Sequence, residues 1–243
     1  MACKINCDTV SLMQEALRER VVGSIAVVFD LDDTLLDHER WSLDRFRNVA
    51  IDLGMSSLEG DAFLQACRER LKQHEWAGLV EDIAGVTCVP FGALQESYSR
   101  QVGTEASVVA HSRECVRLLR ESGTPVGVLS NNSSWENVQN KLAVFGVPFD
   151  AVVVVWDEQR KPAADGFSKI AEQLDVLISD IVMVGDDGAC DIVGALLAGC
   201  QRAVHVALPD GRRDRSYRGS LSVEQLTRCE EIGSLRELQA ALW

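Results

Sequence analysis

The sequence is poor in proline, in basic residues and in long apolar runs. It has only 5 prolines among 243 residues, and 24 Lys and Arg stand against 37 Asp and Glu, a formal net charge of −13. Because the chain has no marked excess of positive charge, we exclude a scaffold that holds nucleic acid by its phosphates. For the same reason we expect no anionic membrane surface as a partner. No stretch approaches the roughly 20 consecutive apolar residues that a membrane span requires.

Cysteine pairs of the CxxC kind are also absent, although the chain has 8 cysteines. A disulfide framework is typical of short secreted chains, and the N-terminal segment lacks the basic start and apolar run of a signal peptide. We therefore expect reduced thiols and a cytoplasmic location. Hydrophobic residues at 47% and charged residues at 25% are ordinary for a globular protein.

Short apolar runs rich in Val and Ile recur along the chain and alternate with amphipathic patterns of helical period. Such runs are typical of strands buried on both faces of a parallel sheet. The alternation predicts an α/β fold with a Rossmann-like open parallel sheet and right-handed crossovers. The predicted strands are 25–30, 125–130, 151–157, 180–186 and 203–208, and the predicted helices between the last four are 133–145, 163–174 and 191–198.

One connection is too long for a crossover. Residues 37–107 follow the first strand and show helical periodicity, for instance at 41–53 and 58–71. Because structureless loops of this length are uncommon in compact domains, we predict a mostly helical domain inserted after the first strand.

The rest of the chain is assigned around that insertion. We predict that residues 24–36 and 108–243 form the core domain and that residues 1–23 form a helical N-terminal extension. Within the core, 108–121 is predicted as the first crossover helix, and it ends before Gly123, a typical helix stop.

Polar residues follow the predicted strands, at the ends where ligands bind in open α/β sheets. Carboxylates gathered in one place repel one another, but they coexist around Mg²⁺, which prefers hard oxygen ligands and accepts a phosphate oxygen. With a lysine and a hydroxyl beside them, they predict a magnesium-dependent phosphate site. The residues are Asp30, Asp32, Asp33 and Thr34 after the first strand, Ser130 and Asn131 after the second, Lys161 before Pro162, and Asp186, Asp187 and Asp191 after the fourth.

Two of these positions also have a purely structural interpretation. An Asp just after a strand is often a turn residue, and we interpret Asp33 in that way. Pro162 is predicted to open the following helix at its first position.

Taken together and in order, the motifs resemble those of the haloacid dehalogenase-like (HAD) hydrolase superfamily. The matching segments are FDLDDT at 29–34, LSNN at 129–132, Lys161-Pro162 and GDD…D at 185–191. The resemblance covers the core, and the insertion at 37–107 resembles the position of the family's helical C1 cap.

The resemblance implies a role for each residue. Asp30 is the nucleophile that forms an aspartyl-phosphate, Asp32 is the general acid and then the base, and Lys161 neutralises charge. Thr34, Ser130 and Asn131 are implied to bind the phosphoryl group. Mg²⁺ is implied to bind Asp30, the backbone carbonyl of Asp32 and Asp186, while Asp187 and Asp191 ligate it, act through water or fix Lys161.

Asp32 favours phosphate chemistry over carbon–halogen cleavage, since only an alcohol leaving group needs a proton donor. We expect a Mg²⁺-dependent phosphatase that hydrolyses a small phosphorylated metabolite. A sugar phosphomutase of the same fold is an alternative, although Gly185 stands where such enzymes often carry Glu. A catalytically inactive phospho-ligand-binding protein is an alternative of another class. The sequence names neither the substrate nor the oligomeric state.

Overall fold

The protein is described by a computed structural model over residues 25–71, 78–207 and 215–242. The predicted N-terminal extension at 1–23 lies outside the described residues. Contacts divide the chain into two compact units. We call Met1–Leu31, Glu114–Ser133 and Pro148–Trp243 the sheet unit, and Asp32–Arg113 with Ser134–Val147 the helical unit.

The sheet unit contains one sheet of six parallel strands in the order β3-β2-β1-β4-β5-β6. The strands are β1 Ala26–Phe29, β2 Val126–Asn131, β3 Ala151–Val155, β4 Ile181–Gly185, β5 Arg202–Val206 and β6 Cys229–Ile232. All four residues of β1 are buried, as expected for an apolar run at the centre of a parallel sheet. The predicted open α/β sheet is thus confirmed.

Helices account for most of the remaining described residues. They are α1 His38–Asp52, α2 Ser57–Leu71, α3 Leu79–Thr87, α4 Phe91–Arg100, α5 Ser112–Glu121, α6 Trp135–Phe145, α7 Ala164–Leu174, α8 Gly194–Ala198, α9 Val223–Thr227 and α10 Leu238–Leu242. A π-helix, Gly188–Val193, leads directly into α8. None of the described helices is long and apolar enough to cross a membrane.

The helical unit has its own hydrophobic core, formed between α1, α2, α3 and α4. Phe46 of α1 is fully buried and stacks on Tyr98 at a ring-centroid distance of 4.6 Å. It also meets the edge of Phe63 at 6.0 Å. Asp37 caps α1, because its Oδ1 accepts a hydrogen bond from the Arg40 N–H at 2.8 Å. No strand occurs among the described residues of the predicted insertion, which is helical as expected.

The predicted helix start at Pro162 is wrong. Helix α7 begins at Ala164, two residues after Pro162. The Ala163 N–H donates to the Arg160 carbonyl at 2.9 Å and closes a turn there, so the chain enters the helix only after this turn. The predicted stop at Gly123 is confirmed, since α5 ends at Glu121 and Gly123 has a φ of 80°.

Candidate active site

Three buried carboxylates meet at the carboxyl ends of two neighbouring strands. Asp30 follows β1 and Asp186 follows β4, and these strands pair in parallel with Phe29 opposite Val184. Asp191 reaches the same place from the π-helix. One ligand oxygen of each lies within 4.8 Å of the others, and the three residues are 7%, 2% and 1% exposed. The structure therefore brings together three of the predicted metal ligands.

Lys161 lies against two of these carboxylates. Its Nζ is 2.5 Å from Asp30 Oδ1 and 2.6 Å from Asp191 Oδ1. Burial lowers the pKa of Lys161, but the charges of Asp191 and Asp30 outweigh burial and raise it above its ordinary value. The side chain is therefore a buried ammonium at neutral pH.

Asn131 fixes the backbone of Lys161. Its Oδ1 accepts from the Lys161 N–H at 2.8 Å, and its Nδ2 donates to the Lys161 carbonyl at 3.1 Å. This positioning contact was not predicted from the sequence. Contact between Asn131 and substrate stays a prediction, as does that of Ser130, which is buried at the end of β2.

Asp187 caps the π-helix that carries Asp191. Its Oδ1 accepts hydrogen bonds from the N–H groups of Ala189 and Cys190, both at 2.9 Å. Its own N–H donates to Asp191 Oδ2 at 3.0 Å. In the described part of the chain, Asp187 does not belong to the group of clustered carboxylates. Its predicted ligation of the metal, directly or through water, stays a prediction, while its capping role is clear.

Two further residues support this loop, and sequence reasoning missed both. The ring of His205 on β5 has Nε2 3.0 Å from the Asp186 carbonyl oxygen. Tyr217 packs so closely on Gly188 that a side chain at Gly188 would collide with its ring. The signal for His205 was present in the sequence, since it is the one polar residue of the predicted strand at 203–208.

Asp32 has a separate set of partners within the helical unit. Its Oδ1 is 2.5 Å from Lys141 Nζ and 3.1 Å from His38 Nδ1. Burial raises the pKa of Asp32, but the charges of Lys141 and His38 outweigh burial and hold it well below its usual range. With these partners in place the carboxylate is ionised at neutral pH.

Lys141 is the functional candidate that the sequence analysis overlooked. It is fully buried on α6, and its Nζ lies 6.0 Å from the centroid of the Trp41 ring. A lysine in an amphipathic helix is normally taken for a solvent-facing residue. Its spacing argued otherwise, because Val138, Lys141 and Phe145 stand at the i, i+3, i+7 positions of one buried helix face.

The remaining residues of the first motif occupy a turn. Asp33 has a φ of 59°, and its Oδ1 accepts from the His38 N–H at 2.8 Å, which confirms the predicted turn role. Thr34 is fully buried. Its predicted contact with a phosphoryl group stays a prediction.

The donor set of the carboxylate cluster fits Mg²⁺. Hard carboxylate oxygens are the ligands this ion prefers. Three ionised carboxylates within 4.8 Å of one another carry three negative charges, and the single ammonium of Lys161 offsets only one of them. Gly185 leaves room for the arrangement, since any side chain there would collide with the Asp191 carboxylate. Asp30, Asp186 and Asp191 are therefore the residues that would hold the ion.

Comparisons with known proteins show which chains this one is similar to. The family model described as haloacid dehalogenase-like hydrolase matches residues 27–205. A curated relative, the ribulose-1,5-bisphosphate 5-phosphatase of Halopiger xanaduensis, is 28% identical over 199 residues, which cover 72% of this chain and 82% of the relative.

Solved structures show the same fold. A HAD phosphatase from Thermococcus onnurineus is 24% identical with a TM-score of 0.54, and the match covers 90% of this chain and 97% of that one. The putative HAD-hydrolase YfnB from Bacillus subtilis, bound to magnesium, is 17% identical with a TM-score of 0.60. The match covers 90% of this chain and 98% of that one. A predicted phosphoglycolate phosphatase from Haemophilus somnus is 18% identical, with a TM-score of 0.60 and coverage of 90% and 97%.

Proposed function

Because the chain belongs to the haloacid dehalogenase-like hydrolase family, we propose that it is a Mg²⁺-dependent phosphatase acting on a small phosphate monoester through an aspartyl-phosphate on Asp30. The observation that carries the proposal is the buried group of Asp30, Asp186 and Asp191 with Lys161 Nζ 2.5 Å from Asp30. The curated relative is by name a phosphatase of a phosphorylated sugar, which supports a phosphate monoester as the substrate class.

In the first step, an oxygen of Asp30 attacks phosphorus while the bond from phosphorus to the alcohol oxygen breaks. The products are an aspartyl-phosphate and the alcohol, whose oxygen takes its proton from Asp32. Lys161 stabilises the negative charge that Asp30 and the phosphoryl oxygens share. Mg²⁺, when bound, supplies further positive charge toward the phosphoryl oxygens.

In the second step, water attacks phosphorus and the acyl-phosphate bond breaks, which restores the Asp30 carboxylate and releases phosphate. Asp32 takes the proton from that water, a role that suits the ionised form its partners favour. The acid step needs the protonated form, so we expect the contact between Asp32 and Lys141 to open before the alcohol leaves.

Two alternatives have less support. A sugar phosphomutase of the usual pattern carries Glu where this chain has Gly185, and the Asp191 carboxylate leaves no room for a side chain there. A catalytically inactive binding protein does not need a nucleophile, a lysine and a carboxylate cluster together.

We further propose that the partner of the protein is a small phosphorylated metabolite. We also propose a cytoplasmic location, which is supported by the six described cysteines, because all of them are free.

The proposal is tested by the hydrolysis of p-nitrophenyl phosphate with and without Mg²⁺. We expect turnover that chelation abolishes and metal restores, and we expect Asp30→Asn to be inactive with an unchanged melting temperature. Asp33→Asn is the matched control, because it changes a neighbouring carboxylate that accepts a hydrogen bond in a turn. Turnover by Asp30→Asn would refute the nucleophile, and no turnover by the wild type on a broad panel of phosphate monoesters would refute the phosphatase.

A further inference from the structure

His205 is a buried histidine whose ring is bonded to the loop that carries two of the clustered carboxylates. We call residues 186–191 the metal loop. The ring is 2% exposed, and its Nε2 lies 3.0 Å from the backbone carbonyl oxygen of Asp186. A carbonyl oxygen only accepts hydrogen bonds, so Nε2 carries the proton and donates. The other ring nitrogen, Nδ1, has no hydrogen-bond partner within the described residues.

The core of the sheet does not require a polar side chain at position 205. Its neighbours on β5, Val204 and Val206, are both buried. An apolar residue between them would bury no ring nitrogen, and a buried polar atom without a partner costs stability. The histidine is therefore better explained by the backbone that it holds than by what it adds to the core.

The register of the sheet places His205 beside the start of the metal loop. Strands β4 and β5 pair in parallel with Gly185 opposite His205, and Asp186 is the next residue of the chain. The hydrogen bond thus ties the first residue of the loop to a neighbouring strand. The three hydrogen bonds of Asp187 described above lie within the loop itself. His205 therefore supplies a link from the loop to the sheet.

Tyr217 packs on both His205 and the metal loop. It is buried, and its ring meets the His205 ring edge to face at a centroid distance of 5.2 Å. A Cβ atom at Gly188 would lie 2.1 Å from a carbon of the Tyr217 ring, so the ring lies directly on the loop backbone. Arg218, the next residue, donates to Glu231 of β6 at 3.0 Å and attaches this segment to the sheet.

We propose that His205 is a positioning residue for the metal ion. Its Nε2–H holds the Asp186 backbone, so that the Asp186 carboxylate stays within the cluster, and Tyr217 keeps both the histidine and the loop in place. All of these residues belong to the sheet unit. The inference deepens the proposed function, because it rests on the Mg²⁺ site proposed there. Hydrogen-bond partners behind metal ligands commonly contribute about 10- to 100-fold in metal affinity.

The test compares His205→Met with His205→Gln, which have unbranched side chains of similar length. Gln retains an N–H donor close to the position of the imidazole Nε2, and Met does not. The probe is Mn²⁺, which favours the same carboxylate and water ligands as Mg²⁺, and the EPR signal of the unbound ion gives its Kd on the metal-free full-length protein. We expect the Kd to rise by about 10-fold or more in His205→Met and to stay within about 3-fold of wild type in His205→Gln.

Two controls define what the titration measures. Binding that Asp186→Asn abolishes is counted as binding at the carboxylate cluster. Val153→Ala removes buried volume from β3, which β2 and β1 separate from β4. We expect it to lower the melting temperature without changing the Kd, because a loss of core packing does not by itself displace a metal ligand.

Turnover gives a second readout, which a loss of folded protein would not reproduce. In His205→Met, the Mg²⁺ concentration for half-maximal hydrolysis of p-nitrophenyl phosphate should rise by about the same factor as the Kd. The kcat at saturating Mg²⁺ should fall by less than about 3-fold, since mass action returns the ion to the site. A fall in kcat with an unchanged Mg²⁺ requirement would overturn the inference.

The affinities decide the inference directly. An unchanged Kd in His205→Met would overturn it, and so would an equal loss in His205→Gln, because the donor would then not be the cause. If His205→Met does not fold, Tyr217→Leu takes its place, since it removes the ring over Gly188 and keeps an apolar side chain. We expect a several-fold rise in Kd there, and an unchanged Kd would overturn the inference in the same way.

The inference and the proposed activity fail separately. The Kd is measured without substrate, so Mn²⁺ binding that weakens in His205→Met would support the inference even if no phosphate monoester is hydrolysed, a result that would refute the phosphatase. If the wild type binds no Mn²⁺ at the carboxylate cluster, the metal site is refuted, and the inference with it.

Discussion

Among the described residues, each unit has one buried lysine at a predicted catalytic carboxylate, and the two lysines differ in how they are held. Lys161 of the sheet unit lies between two carboxylates, and Asn131 fixes its backbone on both sides. Lys141 of the helical unit has one carboxylate, Asp32, and one histidine beside it. A buried ammonium requires such partners. The first lysine is therefore part of a network, whereas the second depends on one ion pair.

We expect the largest loss of turnover from removing the positive charge of Lys161. Lys161→Met should lower kcat by about 10²–10³-fold, because it deletes a preorganised charge at the nucleophile. The measurement is steady-state turnover of p-nitrophenyl phosphate at saturating Mg²⁺. Lys169→Met is the control, since that lysine is exposed and donates to Gln159. Near wild-type turnover by Lys161→Met would show that Lys161 does not contribute to catalysis.

Breaking the ion pair between Lys141 and Asp32 should reduce the stability of the protein more than it reduces turnover. Lys141→Met leaves Asp32 without its buried ammonium, and we expect a loss of about 3 kcal/mol in the free energy of unfolding. Urea unfolding monitored by circular dichroism measures it. Arg113→Met is the control, because Arg113 donates to the Phe145 and Val144 carbonyls at the end of the same helix without contacting Asp32.

The same pair predicts a pH dependence. The folded-state pKa of Asp32 is depressed, so the stability that the pair contributes is present above the unfolded pKa of roughly 4 and is lost as pH falls further. The difference in unfolding free energy between wild type and Lys141→Met should be full at pH 7 and shrink below about pH 4. A difference that does not change with pH would mean that the ion pair does not cause it.

We expect a smaller loss of turnover when the backbone of Lys161 is held less firmly but its charge is kept. Asn131→Ala deletes two hydrogen bonds to the Lys161 backbone, and we expect a loss of about 1–2 kcal/mol in unfolding free energy. Turnover should fall less than in Lys161→Met. If Asn131→Ala equals Lys161→Met in turnover at full stability, Asn131 contacts the substrate directly, as the sequence analysis predicted.

The smallest expected effect concerns a thiol in the metal loop. Burial, with Asp187 and Asp191 nearby, raises the pKa of Cys190 to about 12. Iodoacetamide at pH 8 should therefore modify Cys190 much more slowly than Cys88, which is exposed. Peptide mass spectrometry over a time course measures both rates, and faster labelling of Cys190 would contradict the raised pKa of this half-buried thiol.

Residues that end a strand were predictable from the sequence, and residues that face inward from a helix were not. Asp30, Asp186 and Lys161 stand in short motifs beside apolar runs, and the order of parallel strands then brings them together. Lys141 and Arg45 belong to amphipathic helices, where a cation is usually solvated. Only the packing of those helices shows that the lysine is buried and that, among the described residues, the arginine has no carboxylate at ion-pair distance.

The sheet was predicted well where strands are apolar and incompletely at its edge. Strand β6, Cys229–Ile232, lies next to β5 at the end of the strand order. It contains two adjacent glutamates, so it lacks the apolar run that identified the other strands. The helix after β4 also differs from its prediction, because Asp187 caps a π-helix that precedes α8. The spacing of apolar residues in the sequence does not distinguish a π-helix from an α-helix.

The central claim is that Asp30 carries the phosphoryl group during turnover. The most direct measurement is acid quench of the Mg²⁺-loaded enzyme during steady-state hydrolysis of p-nitrophenyl phosphate, followed by borohydride reduction and peptide mass spectrometry. Acyl-phosphates are reduced to the alcohol, so we predict homoserine in place of Asp30 and none in the Asp30→Asn variant. Reduction at another carboxylate, or none anywhere while turnover proceeds, would contradict the assignment.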